Sequence, residues 1–381
     1  MRITYLLGSI GFTGGNVVLF NHMEALAQDG HDVVMITPFS TTKWHPGMLS
    51  EIFNKRELGY AGLWGLLKST QKKVRSHAPL LENKISSLLR GDAYSYSFKI
   101  TQNLLSRWEP SDITIATHSI TAHAAALLSK ETKVFYHMQG YEPWFTEDID
   151  YKRIASLSYT YPINLIANCQ WLRNKISQET GRDPNSISLV RPGLDHKTFY
   201  PRNRNLRNDN SRIKIVSYAD SRPLKGWSES KAAMKKVFQQ LESSYEIEWH
   251  VFGSINDDNF DYPINYHGFL SHEELSALYS EADFIFVPSW FESFPLQPVE
   301  AMACGAAVIT TNIGTEDYAR DGETALVIEP KNIEALAQAI LKLIKDDNLR
   351  NKLSVNGLLE AKNYTWEQSA DEIKRSLGLV K

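Results

Sequence analysis

Ser289-Trp-Phe-Glu-Ser-Phe-Pro-Leu-Gln-Pro-Val-Glu-Ala-Met-Ala-Cys-Gly305 decides the reading of this 381-residue chain. The apolar run Ala282 to Val287 before it predicts a buried strand, and Pro288-Ser289 turns the chain toward a helix starting near Pro295. Proline suits a first helical turn, where its missing N–H would have no intrahelical partner. With Pro295 first in the helix, Pro298 is fourth and again gives up only an orphan donor. A helix start that follows a parallel strand is a ready anion site. Glu292 lies in the loop before that start and Glu300 a turn or so inside. Carboxylates there suit hydroxyl groups, which need acceptors, better than a bare phosphate, so the pattern suggests a nucleotide-sugar. A strand–helix unit with surface glutamates is the plainer alternative.

The spacing resembles the Glu-x7-Glu element of retaining family-4 glycosyltransferases (glycosyl transferases group 1) of GT-B architecture. Ala301-Met-Ala-Cys-Gly-Ala-Ala-Val-Ile-Thr-Thr311, Gly314-Thr-Glu-Asp-Tyr318 and Asp321-Gly-Glu-Thr-Ala-Leu-Val327 are similar to that family too. The resemblance, strong from Ser289 to Pro330 and diffuse in the first half, extends to bacterial polysaccharide glycosyltransferases. It implies an α/β protein with two Rossmann-like, doubly wound parallel-sheet domains facing across a cleft.

The rest of the chain fits that frame. Its length allows two or three domains, and 43% apolar residues supply sizeable cores. Cys169 and Cys304 are the only cysteines; both sit in apolar or small-residue surroundings and indicate neither a disulfide framework nor a cysteine metal site. Met1-Arg-Ile-Thr-Tyr-Leu-Leu-Gly8 reads as a short strand rather than a leader, and no apolar run approaches the ~20 residues that span a bilayer. A cytosolic protein is expected. Net charge is −3, divided as +6 over residues 1–205 and −9 over the remainder. That is too mild for a nucleic-acid binder.

Strand–helix alternation begins with residues 2–7, a turn containing Gly8, Gly11, Gly14 and Gly15, a helix from Asn16 to Gln28 and a strand from Asp32 to Ile36. Residues 202–212 have linker composition, after which a second series starts at Ile213. The expected domains are 1–205 for the acceptor and 206–363 for the donor, and the helix 364–381 is expected to pack back on the first by analogy with GT-B enzymes. Between 43 and 75, Lys, Arg and Trp residues and a helical apolar face suit either peripheral contact at the inner face of a membrane or a solvated helix shaping the acceptor site.

Candidate site residues follow from motif and resemblance together. The first glycine loop is not G-x-G-x-x-G, and no acidic residue closes the second strand, which argues against NAD. The family's double glycine matches Gly14-Gly15, expected to let backbone approach the donor diphosphate; a plain tight turn is the alternative. Arg222 and Lys225, in Asp220-Ser-Arg-Pro-Leu-Lys-Gly226, are candidates to neutralise the diphosphate, or are a solvated loop pair. By resemblance Glu292 accepts sugar hydroxyls, with Ser293 and the backbone N–H groups of Phe294 and Leu296 beside it, and Glu300 takes the ribose hydroxyls. His118, after the strand Ile113 to Thr117, is a catalytic candidate beside the donor sugar, or a cap of the next helix. His137, Gln139, Tyr141 and Glu142 mix aromatic and polar groups as sugar sites do, or form a structural aromatic loop.

Asp148-Ile-Asp150 spells D-x-D but follows an aromatic loop and reads as a solvated pair, so neither metal nor cofactor is expected. The resulting expectation is a hexosyltransferase-type enzyme (EC 2.4). It would move a sugar from a nucleotide-diphospho-sugar to a glycan, lipid-linked or other hydroxyl acceptor by a same-face route. A non-catalytic nucleotide-sugar or glycan-binding subunit on the same scaffold is the rival.

Overall fold

The computed structural model describes residues 1–9, 14–54, 93–202, 212–241, 245–255 and 260–380. The chain divides into two compact units: Met1–Asn168, Leu172–Val190 and Ser369–Lys381 form the first, and Cys169–Trp171 with Arg191–Gln368 the second. The second unit starts well before 205 because Leu194 bridges Thr365 and its N–H donates to Tyr364 O at 3.2 Å. Gly193 is pressed so close that a Cβ would sit 2.5 Å from Trp366 N. The linker-like stretch 203–211 lies outside the described residues.

The first unit holds a seven-stranded sheet in the order β3-β2-β1-β4-β5-β6-β7. Its strands are β1 Arg2–Leu6, β2 Asp32–Ile36, β3 Thr41–Lys43, β4 Ile113–Ala116, β5 Lys133–Met138, β6 Asn164–Ala167 and β7 Ile187–Leu189. Among the described residues only the β2–β3 pair is antiparallel. Both faces are covered, which is why these strands read as apolar runs rather than alternations. Among the described residues its α-helices are, in chain order, α1 Gly14–Gln28, α2 Met48–Asn54, α3 Ala93–Leu105, α4 Ser119–Leu127, α5 Ile149–Ser158 and α6 Gln170–Thr180. Ile3, Tyr5, Met35, Phe135 and Ile166 form the core together with Ile373 and Leu377 from the chain's last helix.

The second unit holds a parallel six-stranded sheet in the order β10-β9-β8-β11-β12-β13. These strands are β8 Arg212–Ala219, β9 Glu246–Gly253, β10 Asn265–Gly268, β11 Phe284–Val287, β12 Ala307–Thr311 and β13 Leu326–Ile328. Helices α7 Trp227–Gln240, α8 His272–Glu281, α9 Leu296–Ala303, α10 Ile333–Lys345 and α11 Asp347–Ala361 accompany them, and α12 Trp366–Leu377 runs from this unit into the first. Its core gathers Ile215, Trp249, Phe284, Ile309, Ile340 and Leu343.

In each sheet the order reverses once near the middle, at β1/β4 and at β8/β11. Ligands of open parallel sheets bind outside the carboxyl ends of the strands at such switch points. His118 follows β4, Arg222 and Lys225 follow β8, and Glu292 follows β11. Among the described residues no helix is long and apolar enough to cross a membrane.

One expectation changes. Trp44 is not part of an exposed aromatic face: it is 2% exposed, stacks on Phe20 at 5.4 Å, and donates from Nε1 to Glu24 Oε2 at 3.0 Å. The remainder of 43–75, from residue 55 on, lies outside the described residues. Asp148 and Asp150 open α5, where Asp148 Oδ1 accepts from the N–H groups of Asp150 and Tyr151 at 2.9 and 3.1 Å.

Candidate active site

The second unit concentrates charge at its switch point. After β8 the chain makes a 3-10 turn over Pro223–Lys225 and enters α7 through Gly226, at φ +71°. A Cβ on Gly226 would lie 2.4 Å from Pro288 O, so only glycine lets this turn meet the loop after β11. Trp290 N–H donates to Leu224 O at 2.8 Å, which fastens the two loops together. Across this seam Lys225 Nζ meets Glu292 Oε1 at 2.5 Å, with side chains only 12% and 16% exposed. The two residues read from separate motifs are thus an ion pair.

Arg222 is held differently. Its Nε and Nη2 each donate to Asp220 at 2.8 Å, its backbone N–H donates to the same carboxylate, and Tyr218 Oη adds a fourth bond at 2.7 Å. Burial works to raise the Asp220 carboxyl, but the Arg222 and Tyr218 bonds outweigh it and hold Asp220 well below the usual carboxylate range. The guanidinium stays more than half exposed, so its remaining donors are available. Asp220 and Tyr218 are site-building residues that the motif reading missed. A carboxylate two residues before the arginine, at a strand end, was the available signal.

Helix α9 begins at Leu296 with Pro295 as its N-cap, one residue later than the sequence suggests, and no side chain caps it. The N-terminus of α7 has no side-chain cap either. Both leave orphan N–H groups beside the Arg222–Lys225 segment or the Glu292 loop. Phe294 adopts φ 57°, and its N–H is consumed by Gly314 O at 3.0 Å. Its ring packs on Tyr318 and Tyr364 at 5.3 and 5.1 Å. Phe294 therefore does not supply the sugar contact expected of it, because its donor and its ring are both spent inside the unit. Ser293 Oγ lies 3.5 Å from Cys169 Sγ.

Glu300 is buried on α9, and burial alone pushes its carboxyl up to about 8. No side-chain hydrogen bond reaches it among the described residues. The Tyr279 hydroxyl is likewise buried without a partner, and burial, with the neighbouring Glu300, holds its pKa well above the ordinary phenol value. Ser289 Oγ, just past β11, is a third buried polar group without a partner. Unsatisfied buried groups are rare in proteins, so the Tyr279 and Ser289 hydroxyls near Glu300 mark a place built for polar company.

In the first unit, Gly14 and Gly15 open α1, and a Cβ on Gly15 would come 3.3 Å from Gln139 Cβ. The Gln139 amide is buried with neither end hydrogen-bonded. His118 is the N-cap of α4, with Nδ1 accepting from Ile120 N–H at a long 3.4 Å and Nε2 3.1 Å from Glu142 Oε2. The structure thus shows the capping role that sequence reading held open.

His137 is corrected: β5 extends to Met138, so the residue sits inside a strand, fully buried, stacked on His22 at 5.3 Å. Burial pushes its imidazole down to about 3. Tyr141 is corrected as well: it is buried against Tyr159 at 5.9 Å, with Lys175 Nζ 5.1 Å over its ring. The Glu142 carboxylate is occupied by Ser119, Tyr136 and His118, which leaves it no valence for an acceptor.

Comparison with known proteins agrees with this architecture. The structure superposes on sucrose-phosphate synthase from Thermosynechococcus elongatus with a TM-score of 0.71 at 18% identity, covering 99% of this chain and 98% of that one. It superposes on Anabaena HepE in complex with UDP-glucose with a TM-score of 0.68 at 16% identity, covering each chain completely. The fold is GT-B.

Residues 202–360 match the family "Glycosyl transferases group 1", so the resemblance read from Ser289 to Pro330 is borne out there. Among curated relatives, D-inositol 3-phosphate glycosyltransferase of Rhodococcus jostii is 27% identical over 57% of this chain and 52% of its own length. O-antigen chain mannosyltransferase B of Escherichia coli is 36% identical over 31% of this chain and 30% of its own. The chain thus spans about half the length of the first relative it matches.

Proposed function

We propose that this protein is a retaining glycosyltransferase that moves a sugar from a nucleotide-diphospho-sugar to a hydroxyl of a glycan or lipid-linked acceptor. The observation that carries it is the Lys225–Glu292 pair at 2.5 Å, seated between two helix N-termini without side-chain caps. The diphosphate brings about two negative charges. Arg222, Lys225 and the free N–H groups of α7 and α9 would neutralise them without a metal ion. Taking Lys225 for phosphate frees Glu292 to accept from sugar hydroxyls. Glu300, without a partner of its own, accepts from the ribose. In the first unit the unpaired Gln139 amide is the group we assign to a sugar hydroxyl.

In a same-face route the bond from the sugar's anomeric carbon to the leaving phosphate oxygen breaks as the acceptor oxygen bonds to that carbon. The acceptor's proton passes to the departing diphosphate. The protein's share is positioning and charge stabilisation. A covalent sugar–protein adduct would exclude this route.

The test is to screen nucleotide-sugars for thermal stabilisation, where a ligand at a hundred times its Kd adds about 2.7 kcal/mol. Transfer is then assayed with the donor found. Lys225→Ala should weaken both nucleoside diphosphate binding and transfer. Glu292→Ala should abolish transfer yet tighten nucleoside diphosphate binding about 5- to 10-fold, because phosphate no longer competes with a carboxylate for Lys225. Binding without turnover by the wild type would favour a non-catalytic nucleotide-sugar-binding subunit instead.

A further inference from the structure

Glu229 stands where a glutamate ordinarily closes a helix start, and it does not do so. With Gly226 as the N-cap of α7, Trp227, Ser228 and Glu229 are the first three helical residues. A glutamate in that third place commonly reaches back to the N-cap N–H. Here the Gly226 N–H is spent on Pro223 O at 2.9 Å, and no side chain caps α7. The Glu229 carboxylate, buried, is turned elsewhere. Its Oε1 accepts from Trp290 Nε1–H at 2.9 Å, and its Oε2 accepts from the Ser228 hydroxyl at 2.8 Å.

Trp290 is itself held from several sides inside the second unit. Its backbone N–H is fastened to Leu224 O, and Lys331 Nζ lies 3.8 Å from the centre of its ring. A cation over an indole face is attracted by the ring quadrupole. Lys331 holds φ +64°, a left-handed backbone seldom adopted outside glycine. Such a conformation persists where the surroundings over-determine it. The next residue, Asn332, caps α10 with its side chain, which fixes the chain just beyond the lysine. The indole N–H can only donate, so its bond to the carboxylate has one sense.

The consequence is electrostatic. A carboxylate drawn onto the first-turn N–H groups of α7 would occupy the donors that a phosphate needs and would repel it as a like charge. We propose that Trp290 is a positioning residue: its indole N–H holds the Glu229 carboxylate off the start of α7, so that the backbone donors there stay open to a diphosphate. The proposal rests on the reading above that a diphosphate lies at this helix start. Trp290 belongs to the same loop as Glu292, two residues away. The residue that keeps the phosphate side clear is thus built into the loop that carries the sugar-side acceptor.

The test measures binding to the full chain by calorimetry. The probes are inorganic pyrophosphate and the nucleoside diphosphate found by the screen, with its parent nucleoside as control. Trp290→Phe keeps a ring under Lys331 and the backbone link to Leu224 but loses the indole N–H. It should weaken both diphosphates about 5- to 20-fold, the scale of a charge at a helix end, with the nucleoside changed less than about twofold. Adding Glu229→Gln should restore affinity to within about threefold of wild type, whereas Glu229→Gln alone should tighten it less than about threefold. Glu229→Asp keeps the charge but is too short to reach the indole, so it should weaken the diphosphates as Trp290→Phe does. Unchanged diphosphate binding in Glu229→Asp overturns the inference even if Trp290→Phe does not fold. So does a loss in Trp290→Phe that Glu229→Gln fails to restore, the mark of a packing role. So does a wild type that binds neither pyrophosphate nor any nucleoside diphosphate. A wild type that binds them but transfers no sugar overturns the transferase reading instead, and the binding results stand apart from it.

Discussion

Glu300 has the most perturbed carboxyl of the proposed donor site. Burial raises its carboxyl to about 8, so near neutral pH it is mostly protonated. In the proposed role Glu300 accepts from a ribose hydroxyl, which donates best to the ionised form, so binding favours loss of the proton. Nucleoside diphosphate binding at pH 7 should therefore release protons, and Glu300→Gln should release fewer. Titration calorimetry in buffers of different ionisation enthalpy reads this directly.

The sign for folding follows from the same shift. The folded state keeps a proton that the unfolded chain loses near 4.5, so stability falls as pH rises from there toward about 8. Glu300→Gln should flatten that fall, as seen in melting temperatures across the range. The place of Glu300 a turn inside α9 was legible because it depends on one helix. The network around Glu142 was not, since it depends on Ser119, Tyr136 and His118 folded around it from other elements.

At the scale of elements, the loop from Glu292 to Pro295 is shaped by a distant turn. Gly314 has φ +79°, and a Cβ there would lie 2.1 Å from Glu292 O. It also accepts the N–H of Phe294, itself held at φ 57°. Gly314→Ala should cost roughly 1–3 kcal/mol through backbone strain and displacement of the loop. Transfer should fall by more than the folded fraction does. Denaturant titration with kinetics on the folded protein measures both; activity that tracks stability alone would show that the loop tolerates the shift.

Much of this element was readable in advance: Pro295 and Pro298 announced the start of α9, and the apolar run before it gave β11. The left-handed Phe294 was not readable, because no local residue demands it; the Gly314 carbonyl does. The burial of His137 was not readable for another reason. A strand buried on both faces shows no alternation, so nothing local marked His137 as still inside it.

At the scale of the molecule, the two strand–helix series were visible from their repeating apolar runs, while the unit border was not. It falls at Arg191 because the next residues are fastened to Tyr364–Trp366, a contact made by residues far along the chain. The last residues are as firmly tied to the first unit. Ser369 Oγ meets His22 Nε2 at 2.8 Å, Lys374 pairs with Asp29 at 2.8 Å, and Ile373 and Leu377 complete the core. A chain ending at Gln368 should keep nucleoside diphosphate binding in the second unit while the melting transition of the first falls by several degrees. Thermal shift with and without the nucleotide tells the two transitions apart; equal loss in both would mean that the units melt as one.

That tie has a consequence for biogenesis. A ribosome delivers the first sheet early but the strap that seals its interior last, so the amino-terminal half must wait, incomplete, while the half made after it can already close. Maturation would run against the direction of synthesis, and the waiting half is the one a chaperone would be expected to hold.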